Sequence, residues 1–344
     1  MRSGIPYILL SLLGIFMAEN LRASSKIDTI YFQNGDRITA EVKSMVNNQL
    51  NLSTADGGTM YLEWSKIDSV KILNNMRILL SQGKIMYGKI LPAGEVGKCY
   101  IWSSSEEPLL LEMIRIVMLS PLEDKFLDRI SGTLSSGFSY VKSTSVMQMN
   151  FDASLKYQAE RNQLQLSYNG LFSKDSATGY TQNQNGGAQF IRILPKNWFL
   201  LSDLVLESNS ELDLDLRTSL TLGGGKAFIR TNASLLYAAL GLQGNRETSL
   251  GDAQFNLEGV ISTKYSIFIY DDPEVSFNFT GDLIPSLTSL GRIRTKINSN
   301  LKWEIFNDFY LKWTFYYNFD SQPLSETAER NDWAVTLIGV EYKL

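Results

Sequence analysis

Charged residues at alternate positions are the features of this chain with the most obvious chemical potential. Asp213, Asp215 and Arg217 form one row, and Arg292, Arg294 and Lys296 form another. Gln148, Asn150, Asp152 and Lys156 form a third, and Lys312 belongs to a fourth. Residues two apart share one face of a β-strand, so each row reads as a polar stripe. Stripes of both signs facing one interior can build a constriction or a solute site that selects by charge. The plainer alternative is a set of internal salt bridges that fill the interior. The carboxylate pairs Asp213/Asp215 and Asp271/Asp272 invite acid/base or cation chemistry, but Arg217 already balances the first. Asp271-Asp272-Pro273 is turn chemistry.

Other chemistries are closed off. The chain has no histidine and one cysteine, Cys99. Ser-His and Cys-His catalysis, an intramolecular disulfide and a Cys-rich metal site are therefore excluded. Gly223-Gly224-Gly225 lacks the strand-to-helix context and Lys-Ser of a phosphate loop, and reads as a tight turn running to Lys226. Asn34-Gly35 is a hairpin turn, and the Asn/Gln-rich stretch Thr181–Gly187 reads as loop. A net charge of −4 and a sequence pI near 5.2 argue against a nucleic-acid partner. Nothing in the pattern asks for a cofactor.

The elements that carry the rows are long alternating strands. Met147, Met149, Phe151, Ala153, Leu155 and Tyr157 alternate with polar residues. The same occurs at Phe309, Leu311, Trp313, Phe315, Tyr317 and Phe319, and again at Ala334, Thr336, Ile338, Val340, Tyr342 and Leu344. Strands in soluble sheets average roughly 5–6 residues, whereas a membrane-crossing strand needs ~9–11. Hydrophobic content is 44%, and no apolar run long enough for a membrane helix occurs in the body of the chain. Parity places Leu212, Leu214 and Leu216 outside with Asp213, Asp215 and Arg217 inside. It places Ile293 and Ile297 outside with Arg292, Arg294 and Lys296 inside. In the final strand it puts Val335, Leu337 and Gly339 inside, an apolar stretch of interior wall.

The expected fold is all-β: a transmembrane antiparallel β-barrel of about 12 strands, with 10 or 14 as alternatives, preceded by a small periplasmic β domain of two repeats. Residues 1–25 read as a signal peptide, with an apolar stretch Ile5–Met17 and small residues at Ala23 and Ser25 for cleavage. Residues 26–126 carry the repeat. Ile30–Val42 parallels Ile78–Ile90, and Leu62–Ile67 parallels Leu111–Ile116, a period of about 48–49 residues. Residues 127–130 are a linker and 131–344 the barrel. Short turns are expected at 159–162, 195–197, 223–226, 271–273 and 306–308, with mostly longer connections at 173–187, 208–211, 243–252, 282–289 and 321–331. That asymmetry puts the short turns and both barrel ends in the periplasm. Trp198, Trp303, Trp313, Trp333 and Tyr342 fit the aromatic girdles of a membrane interface.

Three segments carry a family resemblance: the hairpin Ser136–Tyr140 to Ser145–Met149, the strand Leu212–Leu222 into Gly223–Gly225, and the ending Tyr316–Pro323, Asn331–Trp333 and Gly339–Tyr342. Over about residues 131–344 the chain resembles the salt-induced outer-membrane protein family, whose late motif is tyrosine-x-phenylalanine-aspartate-serine-x-proline. The resemblance implies an uncharacterised barrel of a Gram-negative-type outer membrane with an envelope-stress role. It supplies no catalytic or ligand residues. Leu344 stands where outer-membrane proteins usually end in phenylalanine.

Three function classes follow. The first is a small pore with a charged lumen. The second is a non-conducting structural or binding protein whose periplasmic domain engages a protein partner or the cell wall. The third, a lipid-modifying enzyme, is disfavoured by the missing histidines, so a non-enzyme is expected. Outer-membrane lipid and the barrel-assembly machinery, the latter through the C-terminal strand, are the expected partners.

Overall fold

A computed structural model describes residues 28–103, 107–122, 129–142, 145–175, 179–210, 214–249, 252–306, 309–322 and 331–342. The expected signal peptide, Asp213, Pro323 and Leu344 lie outside the described residues. The described chain is all-β and forms two sheets. No helix among the described residues is long and apolar enough to cross a membrane, which says nothing of crossing by strands.

The N-terminal unit holds nine strands: β1 Asp28–Phe32, β2 Arg37–Val46, β3 Gln49–Thr54, β4 Gly58–Glu63, β5 Ile67–Leu80, β6 Ile85–Pro92, β7 Lys98–Trp102, β8 Leu109–Glu112 and β9 Ile116–Pro121. β9 pairs with both β2 and β5, and β1 joins β2 to β5, so the strands close a small ring. The internal repeat is visible bond for bond. Gly35, with φ +90, donates to Phe32 O at 3.0 Å, and Gly83, with φ +78, donates to Leu80 O at 2.8 Å. Only glycine adopts that backbone without strain, which is why both copies of the turn carry one. Each copy has a 3-10 turn after its fourth strand, at Trp64–Lys66 and Met113–Arg115. The two turns meet: Trp64 Nε1 donates to Met113 O at 2.9 Å. Ile30, Met45, Leu50, Ile72, Ile78, Ile90 and Ile101 fill the core with no more than 1% exposure. Burying each contributes about 1.5–3 kcal/mol.

The second sheet has twelve strands in sequence order, each antiparallel to the next. They are β10 Ile130–Val141, β11 Val146–Gln158, β12 Asn162–Asp175, β13 Gly179–Ile193, β14 Trp198–Asn209 and β15 Leu214–Arg230, then β16 Ser234–Ser249, β17 Asp252–Ile269, β18 Val275–Pro285, β19 Ile293–Phe306, β20 Phe309–Asp320 and β21 Asn331–Tyr342. The sheet is rolled: side chains from eight consecutive strands, β12 to β19, line one interior cavity. Among the described residues β10 and β21 are the two ends of the sheet. The convex face is apolar and exposed, with Leu200, Leu220, Leu222, Leu240, Leu242 and Phe255 among its residues.

Several boundaries differ from the sequence reading. Gly223–Lys226 is no turn but the middle of β15, and the chain reverses at residues 231–233 instead. The glycines serve close strand contact: a Cβ on Gly225 would lie 2.4 Å from Ala238 O, and one on Gly223 2.6 Å from Leu240 O. Thr181–Gly187 belongs to β13, and Glu247 and its neighbours to β16, so two connections expected to be long shrink to residues 176–178 and 250–251. The contrast of turn lengths is therefore weaker than expected. The final strand is also re-registered. A bulge between Lys312 and Trp313 pairs Phe315 with Val335 and Trp313 with Leu337. Val335 thus falls opposite the convex-face Phe315, because one extra residue reverses strand parity.

Candidate functional site

The concave face gathers most of the charged rows. Lys156, Asp152, Asn150 and Gln148 pair in register with Gln165, Asn169, Leu171 and Ser173, and Gln165 pairs with the cavity-lining Gln189. They therefore share the concave face, where Asp152 accepts a hydrogen bond from Asn169. Gln148, Asn150, Lys156, Asp215 and Lys312 are exposed, and Lys312 pairs in register with Lys302.

Arg217, Arg292 and Arg294 form a layer across the interior. Arg217 reaches Glu247 from Nε and Glu207 from Nη1, both at 3.1 Å. Arg292 forks onto Asp320 at 3.0 and 2.6 Å, with Glu247 at 3.5 Å on the other side. Arg294 forks onto Glu258, with Nε at 3.0 Å and Nη2 on the second oxygen. Glu258 also accepts from Gln243 at 3.1 Å and Asn245 at 2.6 Å. Arg217 joins adjacent strands, whereas Arg294–Glu258 links β19 to β17 and Arg292–Glu247 reaches from the start of β19 to β16, so the layer reaches across the roll. Planar forks of this kind are the strongest charge-assisted hydrogen bonds a protein makes. Sequence reasoning named the arginines but missed Glu247 and Glu258. The alternation of Phe255, Leu257, Gly259 and Ile261 around Glu258 was the available signal.

Beside this layer lies a chamber of about 450 Å³. Lys296 lines it, opposite Asp282 in register. Asp203 and Glu207 add acidity, while Phe199, Leu201, Tyr237 and Phe268 supply an apolar wall. Phe199 and Tyr237 pack edge to face at 5.5 Å between centroids.

The far end of the chamber is closed by the N-terminal unit, whose Val46, Leu79, Val117 and Met118 also line it. The unit sits on four successive hairpin turns of the rolled sheet. Arg77 donates to Glu160 O in the β11–β12 turn. Asn197, between β13 and β14, donates to Ser81 O at 2.9 Å. Asn232, between β15 and β16, donates to Ile114 O at 3.1 Å and Ile116 O at 3.0 Å. Asp271, between β17 and β18, pairs with Lys66 at 2.8 Å. Asp271 and then Glu63 push the Lys66 ammonium up to about 12. The unit is thus a cap on one mouth of the roll.

The aromatic candidates face the other way. Trp198, Trp303, Trp313 and Trp333 are exposed on the convex face, with Lys226 stacked 5.6 Å over the Trp198 ring. Tyr342 pairs in register with Phe309. Among the described residues no three metal-binding side chains cluster.

Fold and site together define an all-β protein in which a rolled antiparallel meander encloses a paired-charge interior under a small β cap. The chain belongs to the family described as Protein of unknown function, DUF481, whose model matches residues 137–343, more than half its length. No curated protein matched the sequence.

Proposed function

We propose that this chain is an outer-membrane β-barrel that is closed at rest and holds a ligand in its lumen, rather than an open pore. Membrane placement is supported by the exposed apolar convex face, which in water would be an aggregation surface, and by the outward tryptophans. The cap occupies the periplasmic mouth, as an exported N-terminal domain would. The resemblance to the salt-induced family adds an envelope-stress setting to this reading.

The observation that carries the closed state is the pairing of the charged layer. Arg292 and Arg294 are only 3% and 4% exposed, because each is locked onto a carboxylate. An ion path needs such groups facing water and exchanging partners. Planar-bilayer recording of full-length, heat-modifiable protein tests the proposal. Silent membranes are expected, and steady single-channel conductance from folded protein would return the pore to first place. Soluble monomer without detergent would remove the membrane placement altogether.

A further inference from the structure

We propose that the chamber binds a single-chain anionic amphiphile, its acidic head on Arg230 at the seam under the cap and its tail along the apolar wall. This deepens the closed-lumen reading and rests on it.

Two cations at the seam, Arg77 buried and Arg230 half-buried, lack a counter-charge among the described residues. Arg230, at the end of β15, lines the chamber, and its Nη1 is buried without a hydrogen-bond partner. Arg77, on β5 of the cap, is 2% exposed. Its Nε donates to Glu160 O and its Nη1 touches the sulfur of Met118 at 3.6 Å, while its Nη2 is buried without a partner. Met118 itself lines the chamber. The two guanidinium charges repel one another, and burial holds Arg77 below the usual arginine value. Among the described residues neither arginine forms an ion pair, although every other arginine deep in this interior is matched to an acid. Holding a buried and a half-buried charge of like sign together with no anion between them is costly, and one carboxylate or phosphate would relieve both. Arginine presents its donors in a fork suited to those groups.

The rest of the chamber selects the tail. From the seam the wall continues through Phe199, Leu201, Leu235 and Phe268, under the cap residues Leu79 and Val117. A cavity of about 450 Å³ falls within the roughly 300–1,000 Å³ of small-molecule sites. An inorganic anion would leave that wall unfilled, and a neutral hydrocarbon would leave the arginines unpaired.

The test uses full-length protein in nanodiscs of zwitterionic phospholipid, with empty nanodiscs as background and dansylaminoundecanoic acid as the probe. Saturable binding is expected, displaced by dodecanoate and about tenfold or more less effectively by dodecanol, which lacks the charge. Inorganic phosphate should not displace it at comparable concentration. Arg230→Gln should weaken the probe by about tenfold or more, and Arg77→Gln should weaken it in the same direction. The wild-type competition stands even if either variant fails to fold. No saturable binding, equal competition by dodecanol, or displacement by phosphate as strong as by dodecanoate would each overturn the proposal. Conductance separately tests closure, so failure of the amphiphile leaves the closed-lumen reading to its own experiment.

Discussion

Glu258→Gln probes the charged layer at its most committed point. Glu258 has 0% exposure, and its two oxygens accept from Arg294 Nε at 3.0 Å, Arg294 Nη2, Gln243 at 3.1 Å and Asn245 at 2.6 Å. Glutamine keeps the shape but replaces one oxygen with an NH2 group. That group faces other donors, and Arg294 keeps its charge with no counter-charge. Removing one partner of a buried pair costs ~3–5 kcal/mol. Because Arg294 also lines the chamber, where water can reach it, the lower end, about 3 kcal/mol, is expected. Urea titration of the protein in lipid, with folded and unfolded forms separated by cold gel migration, reads this directly. The double variant Glu258→Leu/Arg294→Met removes both charges and should return to within about 1–2 kcal/mol of wild type, so that with Glu258→Leu and Arg294→Met alone each costing about 3 kcal/mol the cycle gives a coupling energy of roughly 4–5 kcal/mol. If Glu258→Gln stays within about 0.5 kcal/mol of wild type and the cycle shows no coupling, the pair is not formed in the folded protein and the closed layer fails with it.

Other outcomes follow from the same geometry. Leu240, 66% exposed on the convex face, should tolerate lysine if it meets water, but cost ~2–4 kcal/mol near a bilayer midplane, read in the same titration. Asn232→Ala removes both bonds to the Ile114 and Ile116 carbonyls and should weaken cap docking by about 1–3 kcal/mol, seen as faster amide exchange over Met113–Val117 with the hairpins unchanged. The Lys66–Asp271 contact involves a lysine raised to about 12, so its contribution is complete below the unfolded lysine value of about 10.4 and is lost only as pH climbs through 12. Amide exchange at the cap should therefore show no lysine-linked loosening between about pH 7 and 9 once intrinsic exchange rates are divided out. Cys99 is fully buried and its thiol is pushed up to about 12 by burial, so maleimide at about pH 8 should label it only in denaturant. Labelling of the native protein at the denatured rate would mean that the cap core is open.

The faces of the rolled sheet were legible because alternation is local. Met147, Met149 and Leu155 point to one side and Gln148, Asn150 and Lys156 to the other whatever lies further along the chain. Connections were less legible. Three consecutive glycines look like a turn at Gly223–Gly225, but β16 passes close to Gly223 and Gly225 and β14 to Gly224, which no local pattern displays. The bulge beside Trp313 reversed the final strand by a single residue, and a period of two gives no warning of that. The partners of the arginines were least legible of all. Glu247 was hidden in an expected loop, and Glu258 meets Arg294 only once the sheet has curled. The seat of the cap is likewise spread over four turns with no shared sequence.

The seating of the cap also fixes an order of events. Every pairing within the rolled sheet joins strands adjacent in sequence, so the hairpins can be laid down one after another. The contacts that hold the cap reach much further, from Arg77 to Glu160, from Ser81 to Asn197, from Ile116 to Asn232 and from Lys66 to Asp271. The N-terminal unit leaves the ribosome first and, having its own core, can fold first, yet its four footholds exist only after eight strands have turned. A unit able to form early is thus fastened late, and until then the chamber lacks the wall that Val46, Leu79, Val117 and Met118 supply.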